Sequence, residues 1–147
     1  MSGKVLSFKI ASPEIAFERL DGEVILVSLE SGKYFNFNGT ASDVFWMIER
    51  GVPREKWEEL LRHYFKNTDS MTHDINVLVS KLLTSRIITQ SSSDPITLTG
   101  HECELPNDYN RDNWVLPELT EFSDLKDLIL VDPVHDTSLE GWPIESA

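Results

Sequence analysis

Hydrophobic and polar residues alternate along the first quarter of the chain in a pattern typical of β-strands. Two such runs flank Asp21-Gly22, and Asp-Gly between β-prone segments favours a tight hairpin because both positions tolerate positive φ. A second turn leads into a third run, 33–37, and an earlier run, 5–10, alternates well enough to be a further edge strand. The pattern therefore predicts a three-stranded antiparallel sheet, with an optional fourth strand at its edge.

After residue 38 the apolar residues recur at spacings of three and four, which is typical of amphipathic helices. The spacing predicts three helices: one from Asn38 or Thr40 to Arg50, one over 54–65, and one that begins at Asp69 or Ser70 and leaves as a short strand at 85–88. The predicted fold class is α+β, a winged helix-turn-helix in which a three-stranded antiparallel sheet is followed by three helices.

The C-terminal third divides into a polar and a partly apolar stretch. Residues 91–113 are rich in Ser, Asp and Asn, which predicts a flexible linker after a domain at 1–90. Residues 114–147 are acidic but carry Trp114, Trp142 and many aliphatic residues, which a purely disordered tail would not. We expect an extended or partly helical tail here. An amphipathic helix from Leu119 onward would either cover the core or bind a partner.

Charge is concentrated in the same C-terminal third. Residues 1–90 hold 12 acidic and 11 basic residues, and residues 91–147 hold 13 and 2, within a total of −12. Neither part supplies the basic face that nucleic acids require, which argues against DNA or RNA binding. A single cysteine, Cys103, and the lack of an apolar run long enough to span a membrane predict a cytoplasmic protein that does not enter membranes.

A family resemblance rests on the hairpin Asp21-Gly22, the run Glu30-Ser31-Gly32-Lys33-Tyr34-Phe35-Asn36-Phe37-Asn38, the following Thr40-Ala41, and the order of elements. Over about residues 15–90 the chain resembles the PqqD family, whose domain is also called a RiPP recognition element. Phe37 stands where that family usually has Leu. The resemblance implies a non-catalytic chaperone that captures the leader of a ribosomally made precursor peptide and presents it to a RiPP-modifying enzyme.

The resemblance also implies where a leader would bind. The edge of the third strand would accept an extended peptide through its backbone groups, and the third helix would form the other wall of a groove. The residues that we assign to this groove are Lys33, Tyr34, Phe35, Asn36, Phe37, Asp74, Val77 and Lys81.

The segment Trp114-x-x-Pro117-x-Leu119 resembles the Tyr-x-x-Pro-x-Leu motif of lasso-peptide leaders, with Trp in place of Tyr. An aromatic residue and a leucine can fill pockets, and proline favours an extended backbone. We therefore predict that the chain carries its own leader-like segment. Residues 90–113 would span roughly 25–30 Å as a flexible coil, enough to return to the groove in cis. Strand exchange between two copies would satisfy the same contacts, and ordinary packing on the domain is the plainer interpretation.

Catalytic and metal-binding patterns are sparse. His101-x-Cys103 and Asp132-x-x-His135-Asp136 contain ligand types but lack a second pair at the spacing of a closed zinc site. We expect neither an enzyme nor a cofactor or metal. The leading hypothesis is a peptide-binding adaptor. The alternative is a precursor substrate with a built-in recognition element, whose C-terminal tail a partner enzyme modifies, and a DNA-binding transcription factor is the weakest candidate.

Overall fold

Two antiparallel sheets and three helices make up the fold in the computed structural model, which describes residues 4–93 and 104–122. The elements are β1 (Val5–Ile10), β2 (Ile15–Leu20), β3 (Glu23–Ser28), β4 (Lys33–Phe37), α1 (Gly39–Glu49), α2 (Trp57–Leu61), α3 (Met71–Thr84), β5 (Ile88–Ser93) and β6 (Leu119–Phe122). A 3-10 turn at Arg54–Lys56 precedes α2. No helix in the described ranges is long and apolar enough to cross a membrane.

The sheets differ from the prediction in strand number. Among the described residues, the larger sheet has four strands in the order β2-β3-β4-β6, and β1 pairs with β5 in a separate two-stranded sheet. The α+β class, the antiparallel sheets and the three helices are confirmed. The winged helix-turn-helix with one three-stranded sheet is wrong in its sheets, because a distant segment adds β6 to the edge of β4. Register at that edge runs from Tyr34 opposite Phe122 to Phe37 opposite Leu119.

The predicted hairpin between β2 and β3 is present. Asp21 and Gly22 have φ values of 51° and 83°, as the turn requires. Glycine at position 22 has a second cause, since a Cβ there would lie 2.4 Å from Cδ1 of Tyr109. The returning chain thus packs directly on this turn.

Helix boundaries follow local chemistry. The side chain of Asn38 caps α1 by accepting a hydrogen bond from the backbone N–H of Ala41 at 3.1 Å. The second helix is shorter than the predicted 54–65 and ends at Leu61. Beyond that residue the backbone tightens into i→i+3 turns and then extends, because the N–H and C=O of Lys66 bond to Asp112 and Trp114.

The core lies between the four-stranded sheet and the helices. Its large and fully buried side chains are Leu26, Phe35, Phe37, Phe45, Met47, Ile48, Trp57, Leu61, Met71, Ile75, Leu78 and Leu82. Phe45 joins sheet to helix, with edge-to-face contacts to Phe17 and Phe37 at centroid distances of 5.0 and 5.2 Å. This core positions β4 and α3 as neighbouring walls.

Residues 104–122 return to this domain. Residues 104–113, the second part of the predicted linker, make ordered contacts, and Leu105 is buried. Several of their polar side chains form hydrogen bonds and ion pairs with the buried groups of Asp43 and Arg19, which composition alone does not reveal. The division into 1–90, 91–113 and 114–147 stays a prediction. The helix expected from Leu119 is wrong for 119–122, which form β6, and its remaining part, 123–130, lies outside the described residues.

Candidate functional site

The edge of β4 that faces away from β3 is the part of the domain for which the sequence predicts peptide binding. In the structure β6 lies along it in antiparallel register over four residue pairs. The side chains of Phe35 and Phe37 point into the core and are 1% and 0% exposed. Tyr34 and Asn36 therefore face the opposite side of the sheet. What β4 offers at this edge is backbone, together with Lys33, whose Nζ lies 3.1 Å from Oε2 of Glu121.

Helix α3 forms the second wall through two of the three residues predicted for it. Asp74 is buried, and its Oδ2 accepts hydrogen bonds from Ser70 Oγ at 2.7 Å and from Trp114 Nε1 at 3.0 Å. Lys81 lines a cavity of about 310 Å³ together with Leu119 and Glu121 of β6. Val77 lies on the exposed surface of α3 and does not line this cavity.

The three residues of the predicted leader-like motif all face the domain. Trp114 is 9% exposed and meets Phe65 edge-on, with ring centroids 5.3 Å apart and an interplanar angle of 88°. Pro117 is buried, and Leu119 packs against the core. The residues between them point outward: Val115 and Leu116 are 57% and 53% exposed. The segment thus has an inward and an outward set of side chains.

Asn38 connects the segment to α1 and was not among the predicted site residues. Its Nδ2 donates to the backbone oxygen of Leu116 at 2.9 Å, and its Oδ1 accepts from the N–H of Glu118 at 3.0 Å. Its backbone N–H donates to the oxygen of Glu118 at 3.1 Å. From the sequence, Asn38 was recognisable as the cap of α1. The cap uses its side-chain oxygen, and nothing in the sequence indicated what its side-chain nitrogen would bond.

A second anchor lies just before the motif. The N–H of Lys66 donates to the backbone oxygen of Asp112, and the N–H of Trp114 donates to the oxygen of Lys66, both at 2.8 Å. These bonds form a parallel bridge between Lys66 and Asn113. The chain is therefore held on both sides of the Trp114 pocket.

A buried ionic cluster holds the preceding residues 108–111. The carboxylate of Asp43 is fully buried in α1 and accepts hydrogen bonds from Arg111 at 2.9 and 3.0 Å, from Arg19 at 3.0 Å and from the hydroxyl of Tyr109 at 2.6 Å. An aspartate between apolar helix positions must find buried partners, and this is the signal that sequence inspection missed.

Asp108 completes the cluster. Its carboxylate accepts from Arg19 at 2.8 and 3.1 Å and from the backbone N–H of Gly22 at 3.1 Å. The hydrogen bond from Arg19 lowers the pKa of Asp108 below its ordinary value. Burial, followed by the neighbouring carboxylate of Asp43, raises the pKa of Tyr109. Tyr109 is therefore a neutral donor at ordinary pH.

Within residues 4–93 and 104–122 there is no cluster of three or more His, Cys, Asp or Glu that could hold a metal ion. The two weak ligand patterns, His101-x-Cys103 and Asp132-x-x-His135-Asp136, lie outside the described residues. The described residues of this site offer backbone hydrogen bonds, an aromatic pocket and a few polar side chains.

The walls of the groove coincide with a match to a known family. The model of the family described as coenzyme PQQ synthesis protein D (PqqD) matches residues 23–88. The match supports the PqqD-like resemblance. It runs from β3 to the start of β5, so it contains β4 and α3 but not β6. PqqD proteins are non-catalytic peptide-binding partners in the biosynthesis of ribosomally made, modified peptides. No curated protein and no solved structure matches the chain significantly.

Proposed function

We propose that this protein is a non-catalytic peptide-binding adaptor that recognises a leader-type segment by strand addition and presents a ribosomal peptide to a modifying enzyme. The observation that carries the proposal is the antiparallel pairing of an extended segment with β4, beside α3, on walls that match the PqqD family. Backbone bonds supply affinity for any extended chain, and the flanking pockets supply register.

The positions of three side chains in the segment support recognition of a specific sequence motif. Trp114 enters the pocket formed by Phe65 and Asp74, while Leu119 meets the core near Phe37. Pro117 is buried between them and donates no backbone hydrogen bond. Trp114, Pro117 and Leu119 all face the domain, which supports the proposal that this segment is a leader-like ligand.

The segment acts in cis in this proposal. Linkage to the domain gives it an effective concentration on the order of millimolar, so a motif of modest affinity stays bound. An external leader must then compete with residues 113–122, so only a leader with a higher affinity or at a high concentration displaces the chain's own segment. Exchange of the segment between two copies is the self-associated form of the same contacts.

A second candidate function is favoured by one observation. The chain continues from β6 directly into residues 123–147, so the segment in the groove lies where a leader lies relative to its core peptide. In this version the protein is a precursor with a built-in recognition element, and a partner enzyme modifies its tail. Intact mass of the protein co-produced with candidate enzymes separates the two, because only the precursor acquires a mass shift within 123–147.

The experiment that tests groove recognition uses the full chain. The triple variant Trp114→Ala, Pro117→Ala, Leu119→Ala removes the inward set, and Val115→Ala, Leu116→Ala is the matched control on the outward set. We expect amide exchange of residues 118–122 to rise by about tenfold or more in the triple variant and little in the control. A labelled peptide of residues 113–122 should then bind the triple variant in trans with micromolar affinity, and wild type much more weakly.

Equal protection of residues 118–122 in both variants would refute the motif. Failure of the labelled peptide to bind the triple variant, with the domain still folded, would refute the groove as a peptide reader. Circular dichroism and a urea titration establish that folding is retained.

A further inference from the structure

The opposite edge of the four-stranded sheet, β2, has no strand partner within the described residues. The hydrogen bond from the N–H of Leu29 to the oxygen of Glu14 fixes which pairs of the β2–β3 ladder are bonded. Bonded and unbonded pairs alternate, so the backbone N–H and C=O of Phe17 and Arg19 point away from β3. β2 therefore presents two donors and two acceptors in the geometry of a strand.

A cavity of about 230 Å³ follows this edge on the side of α1. Phe17 and Phe45 form its apolar floor, with ring centroids 5.0 Å apart. Trp46 also lines it, and the indole Nε1 of Trp46 is the one buried side-chain polar atom without a hydrogen-bond partner in the described part of the chain. A buried N–H without an acceptor is costly, and an acceptor brought by a ligand would satisfy it.

The charges around the cavity define the ligand further. Glu18 and Glu49 line it, and none of the ion pairs within the described ranges involves either carboxylate. The guanidinium of Arg19 is already shared by Asp43 and Asp108. One cation, Arg50, stacks 3.3 Å from the centroid of the Trp46 ring. The two carboxylates, which have no cationic partner among the described residues, outnumber it, so the cavity favours a positively charged occupant.

We infer that the β2 edge and this cavity form a second binding site, which accepts an extended, lysine- or arginine-bearing segment of a partner protein as a fifth strand. A charged edge discourages pairing with neutral strands. A second copy of this chain is a poor occupant, because each copy carries a net charge of −12. The site lies at the opposite edge of the sheet from β6, so pairing of residues 119–122 with β4 does not cover it, and it does not depend on what the groove binds.

Nuclear magnetic resonance of the ¹⁵N-labelled full chain tests the inference. The probe is a short capped peptide that alternates lysine and valine, and its counterpart alternates glutamate and valine. We expect the lysine peptide to shift the amide signals of Phe17 and Arg19 and the indole signal of Trp46 together, to saturation. The affinity of the glutamate peptide should be lower by at least about fivefold, which corresponds to about 1 kcal/mol of binding free energy.

Variants give the matched comparison. Glu18→Lys with Glu49→Lys should weaken the lysine peptide about fivefold or more. Glu55→Lys with Glu59→Lys, which reverses the same number of carboxylates at exposed positions in and before α2, should leave its affinity unchanged. Trp46→Phe keeps an aromatic ring but removes the donor, and it should also weaken binding.

Three results would overturn the inference: no saturable shift at millimolar peptide, equal affinity for both peptides, or shifts confined to residues 118–122. A dimer in light scattering that Glu18→Lys dissociates would assign the edge to a second copy instead. None of these outcomes bears on tail release by the Trp114 variants, so the two proposals can fail separately.

Discussion

Two adjoining stretches of the returning chain hold to the domain by different chemistry. Residues 105–112 are fixed chiefly by side chains: Arg111 and Tyr109 converge on the buried carboxylate of Asp43, and Asp108 holds Arg19. Residues 113–122 are fixed chiefly by backbone bonds to Lys66, Asn38 and β4, with Trp114 as the large buried side chain.

This contrast indicates which of the two stretches another chain could replace. Any extended peptide can make the backbone bonds of a strand, so another chain could replace β6. A charge cluster accepts only partners with matching groups at matching positions, so residues 105–112 are specific to this chain. We therefore propose that residues 105–112 act as a fixed clasp and residues 113–122 as a replaceable ligand, and the following predictions test that division.

The largest effect is expected from Asp43→Asn. The change leaves two buried guanidinium groups, those of Arg19 and Arg111, without their shared carboxylate, and breaking a buried ionic pair in this way costs about 3–5 kcal/mol. Urea unfolding measures the free energy of unfolding. Asp112→Asn is the control, because its pair with Lys66 is largely exposed and should change that free energy by less than about 0.5 kcal/mol. A loss below about 1 kcal/mol in Asp43→Asn would remove the distinction between clasp and ligand.

An intermediate effect is expected at Asn38, where one side chain serves both α1 and the segment. Asn38→Ser can still cap α1 but is too short to bridge Leu116 and Glu118. We expect unfolding of the domain to change little while amide exchange at 118–122 rises about tenfold. Asn38→Ala should give the same release and lose about 1 kcal/mol more of stability with the cap. Equal exchange in Asn38→Ser and wild type would show that β4 alone holds the strand.

The smallest effect concerns acid. Arg19 lowers the pKa of Asp108 in the folded state below its ordinary value of 3.8. A carboxylate with a lowered pKa stabilises the fold fully above that ordinary value and loses its contribution as pH falls through the folded value. Because Asp108 is partly exposed, about 1 kcal/mol or less is at stake. Unfolding free energy should thus fall more steeply below pH 3.8 in wild type than in Asp108→Asn, and parallel curves would contradict the assignment.

The periodicity of the sequence predicted the helices and the β2–β3–β4 meander well, because those elements are local. It could not predict that β1 pairs with β5, because the alternation of residues 5–10 suits that pairing and a place at the edge of the larger sheet equally well. It also gave α2 an extra turn, because Tyr64 and Phe65 continue the apolar spacing while the backbone of Lys66 is bonded to the returning chain.

For the site, the family resemblance pointed to the edge of β4, Asp74 and Lys81, and a leader-like motif to Trp114, Pro117 and Leu119. The structure brings them together, and their role in binding a leader stays a prediction. Val77 was assigned to the same wall, but it lies on the exposed surface of α3 and does not line the cavity beside β6. The partnership of Asp43 with Arg111 spans 68 positions, and no local pattern links them.

The late position of β6 in the chain has a consequence during synthesis. A ribosome releases β4 long before Leu119–Phe122 emerge, so the nascent domain passes through a stage in which an open, largely apolar strand edge faces its surroundings. Open edges of this kind promote aggregation between neighbouring nascent chains. At this stage β6 is not yet present to compete for the edge of β4. A peptide from another chain that arrives during synthesis would therefore bind there more readily than it would to the finished protein.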